Sequence, residues 1–246
     1  MPRITDETME DHQMGGSNYS FSAKRIDDLG ASEYTLAFIA VDVTGSLQGQ
    51  EANLEKMLKL CVAACRRNPR ADNMMLRVVL FSSQFHGYLE EIHGFRPLPE
   101  IKEDDYTGVI DCRGGTPLYE AAYTNLTALQ QFAKDLSDND FFVNGIGFVL
   151  TDGEDNMSKV TRTMVKDSIG DLVKSEDLES FRPILIGFGQ STWLRKFQNE
   201  AGFDQFVDAG SASESTLAKV ADFVSQSLSS ASQSLGTGGP SVALTF

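Results

Sequence analysis

The stretch Leu36-Ala37-Phe38-Ile39-Ala40-Val41-Asp42-Val43-Thr44-Gly45-Ser46 decides the fold. Eight residues from Leu36 to Val43 are apolar but for one acid, and no polar residue alternates with them. A run apolar on both faces reads as a strand buried on both sides, as in the middle of a parallel sheet. Its first acid, Asp42, stands at the strand's end and is followed by two hydroxyls, Thr44 and Ser46. Two later runs repeat the idea: Gly114-Gly115-Thr116-Pro117, and Leu150-Thr151-Asp152-Gly153 after the apolar run Ile146 to Leu150.

In open α/β sheets, ligands bind at the carboxyl ends of the strands, so the three runs can converge on one spot. Two carboxylates and three hydroxyls, from Asp42, Asp152, Thr44, Ser46 and Thr116, suit a small octahedral cation that keeps part of its water, so the expected ion is Mg²⁺ or Mn²⁺. Each run alone also has a plainer reading. Ser46 could be a helix N-cap, Thr116 an N-cap with Pro117 at the first helical position, and Asp152-Gly153 a turn.

Around these runs, strands alternate with helices. Strands are expected at about 34–43, 74–82 and 85–93. A fourth ends at Thr151, and Phe181 to Gly187 and Phe206 to Asp208 follow. Only two residues separate the second and third, too few for a crossover helix, so 85–93 is expected as an antiparallel edge strand. Leu54, Met57, Leu58, Cys61, Val62 and Cys65 form one helical stripe. A second helix carries Leu118, Ala122, Leu126, Leu129, Ala133 and Leu136. Further helices are expected at 163–174, 191–199 and 213–233. The pattern implies a doubly wound, mostly parallel six-stranded sheet with helices on both faces.

The order of the three runs resembles the von Willebrand factor A domain. The metal-ion-dependent adhesion site of that family uses D-x-S-x-S, a Thr from a later loop and an Asp after the fourth strand. The resemblance covers about residues 34–232 and departs at Thr44, where Ser is usual; a threonine hydroxyl has the same bonding capacity. It implies a domain at 33–235 between a polar N-terminal arm, 1–32, and a C-terminal tail, 236–246. It implies that Thr44, Ser46 and Thr116 ligate directly while Asp42 and Asp152 act through water. The closing stretch Phe223 to Leu235, with Gly49-Gln50 after the first run, is similar to bacterial tellurium-resistance TerY-like proteins. That likeness implies kinase or phosphatase partners in stress-response or phage-defence systems.

The chain has 246 residues, of the size of one α/β domain. Its 21 Lys and Arg against 35 Asp and Glu leave a net charge of -14, which argues against nucleic acid or an anionic membrane as partner. The basic cluster Arg66-Arg67-Asn68-Pro69-Arg70 falls at a helix end, where cations complement the dipole. No run of 18 apolar residues occurs, and the reading is a soluble cytoplasmic protein. Cys61, Cys65 and Cys112 are expected as buried thiols, and His12, His86 and His93 lack zinc-finger spacing.

These features favour a metal-dependent module that binds an Asp or Glu carboxylate of a partner protein, and not an enzyme. One alternative is a Mg²⁺-dependent phosphohydrolase of the haloacid-dehalogenase kind, whose second Asp would stand where Thr44 does. The other is a structural component of a phage or secretion assembly. A P-loop run, G-x-x-x-x-G-K-[ST], does not occur.

Overall fold

The structure, a computed structural model, describes residues 7–14, 19–189, 191–237 and 244–246. The strands are β1 (Met9–Gln13), β2 (Ser20–Lys24), β3 (Glu33–Asp42), β4 (Met74–Phe81), β5 (Leu89–Pro97), β6 (Phe142–Thr151), β7 (Ser180–Phe188) and β8 (Gln205–Gly210). The helices are α1 (Glu51–Arg66), α2 (Leu118–Ser137), α3 (Arg162–Lys174), α4 (Ser191–Ala201) and α5 (Glu214–Thr237). One sheet runs in the order β1-β2-β5-β4-β3-β6-β7-β8.

Strand β3 lies at its centre, parallel to β4 on one side and β6 on the other. Its apolar run splits by parity. Ala37, Ile39, Val41 and Val43 join the core under α1 and α5, whereas Leu36, Phe38 and Ala40 join the core under α2, α3 and α4. A strand with a buried core on each face has no room for polar alternation, which is why Leu36 to Val43 is continuously apolar. The chain winds from β3 through α1 to β4 on one side, then crosses to β6 on the other. The crevice between the ends of β3 and β6 is therefore the switch point of the sheet.

The sheet has eight strands, not the expected six. The two extra strands come from the polar arm at 1–32, expected to have little structure. Its β1 and β2 form an antiparallel hairpin, and β2 adds to β5 in parallel at Ala23↔Phe95. Consequently β5, although antiparallel to β4, is not at the edge. Several of the hairpin's anchors are well buried. Phe21 lies edge-on to Phe95 at 5.9 Å, and the His12 ring stacks on Phe21 at 4.9 Å. Ser22 donates from its N–H (3.0 Å) and its hydroxyl (2.8 Å) to Glu91, which also accepts from buried Arg77 at 2.6 Å. Gly15-Gly16-Ser17 and most of the expected tail, 238–243, lie outside the described residues. Cys61, Cys65 and Cys112 are free and buried. Among the described residues, no helix is long and apolar enough to cross a membrane.

Candidate metal centre

Strand β3 carries Asp42 to the crevice, where the side chain is fully buried. One carboxylate oxygen, Oδ1, accepts from the Thr44 N–H at 2.9 Å, and the other, Oδ2, accepts from the Thr151 hydroxyl at 2.6 Å. Thr151 ends β6, whose Leu150 pairs with Val41, so the parallel register puts Thr151 beside Asp42. Beyond β3 the chain makes a single turn, Gly45–Leu47, with Thr44 extended ahead of it. That turn aims the hydroxyls of Thr44 and Ser46 at each other, 3.1 Å apart, and the Ser46 hydroxyl donates to Asp152 Oδ1 at 2.7 Å. Thr116 completes the set, its hydroxyl 3.4 Å from that of Thr44.

All five expected site residues thus come together, and the plainer readings fail for two hydroxyls. The residue ahead of α2 is Pro117, not Thr116, and no side chain caps α2 from within. Likewise α1 begins after Gln50, so Ser46 caps nothing there. Thr116 reaches the site because its loop is sewn to its neighbours. Arg113 N donates to Val43 O and Gly45 N to Gly114 O, both at 3.0 Å, while Ser83 N donates to Gly115 O at 3.0 Å. Gly114 takes φ +83, a left-handed conformation that glycine adopts without strain, with Ser82 and Ser83 hydroxyls close by.

Burial pushes the Asp42 carboxyl up to about 6, with the charge of Asp152 adding to the rise and hydrogen bonds from Thr151 and Thr44 opposing it. Asp152 is raised too, again mainly by burial. Two carboxylates converging in a partly dry crevice, with no Lys or Arg paired to either among the described residues, are a standing electrostatic cost that a cation offsets. The donors are hard oxygens without thiolate or imidazole, which fits Mg²⁺ or Mn²⁺. Among the described residues, no three His, Cys, Asp or Glu cluster; here hydroxyls supply the remaining donors. At Cys112 nearby, burial first, then Glu51 and Asp42, push the thiol up to about 12, which disfavours the thiolate.

Two residues of the centre were not singled out from the sequence. Thr151 appeared only as the end of a strand, and its place beside Asp42 depends on the register of β3 with β6. Asn156 lies in the loop after Asp152 and bonds to the Thr116 backbone at 2.8 Å. Nothing in the run Glu154-Asp155-Asn156 distinguishes it from an ordinary polar loop.

Among solved structures, the chain is similar to a von Willebrand factor type A protein from Catenulispora acidiphila, with 13% identity over 86% of this chain and 44% of that one, at a TM-score of 0.53. The fold is that of a von Willebrand factor A domain. The chain is similar also to the pilus adhesin SpaC from Lactobacillus rhamnosus GG, with 8% identity over 86% of this chain and 32% of that one, TM-score 0.59. A third is proximal thread matrix protein 1 from the mussel byssus, in a structure whose MIDAS motif is occupied by zinc. It shows 15% identity over 81% of this chain and 47% of that one, TM-score 0.51. The chain thus spans less than half the length of each of these proteins. No protein-family model matches it, and no curated protein does.

Proposed function

We propose that this A domain is a metal-dependent protein–protein interaction module in which Asp42, Thr44, Ser46, Thr116 and Asp152 hold Mg²⁺ or Mn²⁺. The observation that carries the reading is the convergence of five side-chain oxygens, two of them carboxylate, at the switch point of the sheet. When bound, the ion supplies a hard positive centre for an Asp or Glu carboxylate of the partner. The residues of the chain do the rest: Thr151 and the Thr44 amide orient Asp42, and exposed Ser46 and half-buried Asp152 leave one side of the site open to solvent. The hydroxyls that donate to the two carboxylates, Ser46 and Thr151, belong to the ligand set or orient it, which favours binding over catalysis.

At finer grain, the proposal places the protein in the bacterial cytoplasm, in a TerY-like stress-response or phage-defence setting with kinase or phosphatase partners. Its support is the serine-rich closing helix α5 and the three unpaired thiols, which suit a reducing compartment.

Calorimetric titration with Mg²⁺ and Mn²⁺ tests the centre. Saturable binding is expected, weakened roughly 10- to 100-fold in Thr116→Ala. Absence of saturable binding by the wild-type protein overturns the reading. Partner capture, quantified with and without EDTA at two ionic strengths, tests the use of the ion. Losing the partner's carboxylate should cost about 2–5 kcal/mol, so capture should fail in EDTA. Capture that survives EDTA but collapses in salt would mean that the acidic surface does the binding.

A further inference from the structure

The segment after β6 does more than deliver Asp152. Between residues 155 and 160 it makes six hydrogen bonds to the start of α2. Thr116 N donates to Asn156 Oδ1 at 2.8 Å, and Asn156 N donates back to Thr116 O at 3.0 Å. Tyr119 N donates to Asp155 Oδ1 at 3.1 Å and Glu120 N to Ser158 Oγ at 3.1 Å. Lys159 N and Val160 N both donate to buried Glu120 Oε2, at 2.9 and 3.0 Å.

The bonds from Tyr119 N and Glu120 N cap the helix from another loop, supplying partners for N–H groups that α2 leaves open, and the two that Glu120 accepts fasten the loop to the helix. The first two are different, because they take hold of Thr116 itself. A residue whose N–H and C=O are both engaged by one partner has little freedom left in the peptide planes that aim its side chain. Contact between the two segments is close: a Cβ on Gly115 would stand 2.9 Å from Asn156 Oδ1 and 2.7 Å from Met157 Cγ.

We infer that Asn156 is a positioning residue of the metal centre, fixing the Thr116 hydroxyl by clamping the Thr116 backbone to the loop that carries Asp152. The inference rests on the proposed metal-binding reading. It makes Thr116 and Asp152, 36 positions apart in the chain, parts of one rigid piece. Asn156 is itself exposed and fills no core volume, so its removal need not disturb packing.

Two readouts on Asn156→Ala decide it. Calorimetry should show Mg²⁺ affinity reduced roughly 10- to 100-fold, the range for residues that orient metal ligands, with the melting temperature in EDTA close to wild type. Hydrogen exchange in EDTA should show the Thr116 amide losing protection, an effect visible without metal. Asn156→Asp keeps the accepting oxygen and should restore both, compared at 0.3 M NaCl so that its added charge is largely screened. If the wild type binds Mg²⁺ and Asn156→Ala binds it equally, the clamp is refuted while the centre stands. Unchanged protection of the Thr116 amide refutes it as well. If the wild type binds neither Mg²⁺ nor Mn²⁺, the reading of the centre fails and takes the inference with it.

Discussion

At Asp42, ligand and structural member are the same side chain, and that decides which variant is informative. Truncation to Ala would deprive the Thr44 amide and the Thr151 hydroxyl of their acceptor in a buried place, at about 1–3 kcal/mol for each group left unpaired. Asn has the same shape. It keeps the acceptor for Thr44, and the Thr151 hydroxyl can turn to accept from the new amide. Asp42→Asn also removes a buried charge and its repulsion with Asp152, the two causes that raise the Asp42 carboxyl. Its metal-free melting temperature should therefore equal or exceed that of the wild type, while Mg²⁺ affinity falls at least about 10-fold. Calorimetry and thermal scans in EDTA check both. A variant that melts several degrees lower without metal would mean that the carboxylate is held for structure, not for an ion.

Among the elements, legibility followed burial. The run into Asp42 announced a central strand because both its faces touch a core, and the stripe Leu54 to Cys65 announced a helix because only one of its faces does. The hairpin β1–β2 gave no such signal. Each strand is five residues long, and the arm owes its place to Phe21, Ala23 and Met14 reaching the core under α2 and to an ion pair between β4 and β5. Such anchors are tertiary and leave no period. The five ligand candidates were legible because strand ends and hydroxyl-rich turns are local features. Thr151 and Asn156 were not, since one depends on inter-strand register and the other on a loop meeting a helix. The hairpin's attachment to β5 can be tested at Gly94. A Cβ there would lie 1.7 Å from the Ser22 carbonyl oxygen, an overlap that only backbone movement can relieve. Gly94→Ala should detach β2, at a cost of about 1–3 kcal/mol, and expose Lys24 and Arg25 to trypsin. Mg²⁺ affinity should stay as in the wild type, because β5 and β4 separate β2 from β3. Limited proteolysis beside calorimetry reads both, and a parallel loss of metal affinity would show that the hairpin supports the centre.

For the whole molecule, a net charge of -14 creates a confusion that the centre must be separated from. Any added cation screens the self-repulsion of an acidic chain, so stabilisation by MgCl₂ does not by itself show a site. A site adds a term that depends on occupancy. With free Mg²⁺ at one hundred times its dissociation constant, the native state gains about 2.7 kcal/mol, which for a chain of this size raises the melting temperature by roughly 5–10 °C. Screening acts on the wild type and on Asp42→Asn nearly alike, since one charge among many is removed. The occupancy term acts on the wild type alone. Melting both proteins in NaCl and in MgCl₂ at matched ionic strength therefore divides the two contributions. NaCl should raise the two melting temperatures by similar amounts, and MgCl₂ should add its further increment only where Asp42 is intact. Equal gains from MgCl₂ in both proteins would assign the stabilisation to the acidic surface as a whole and leave the five converging oxygens without an ion to hold.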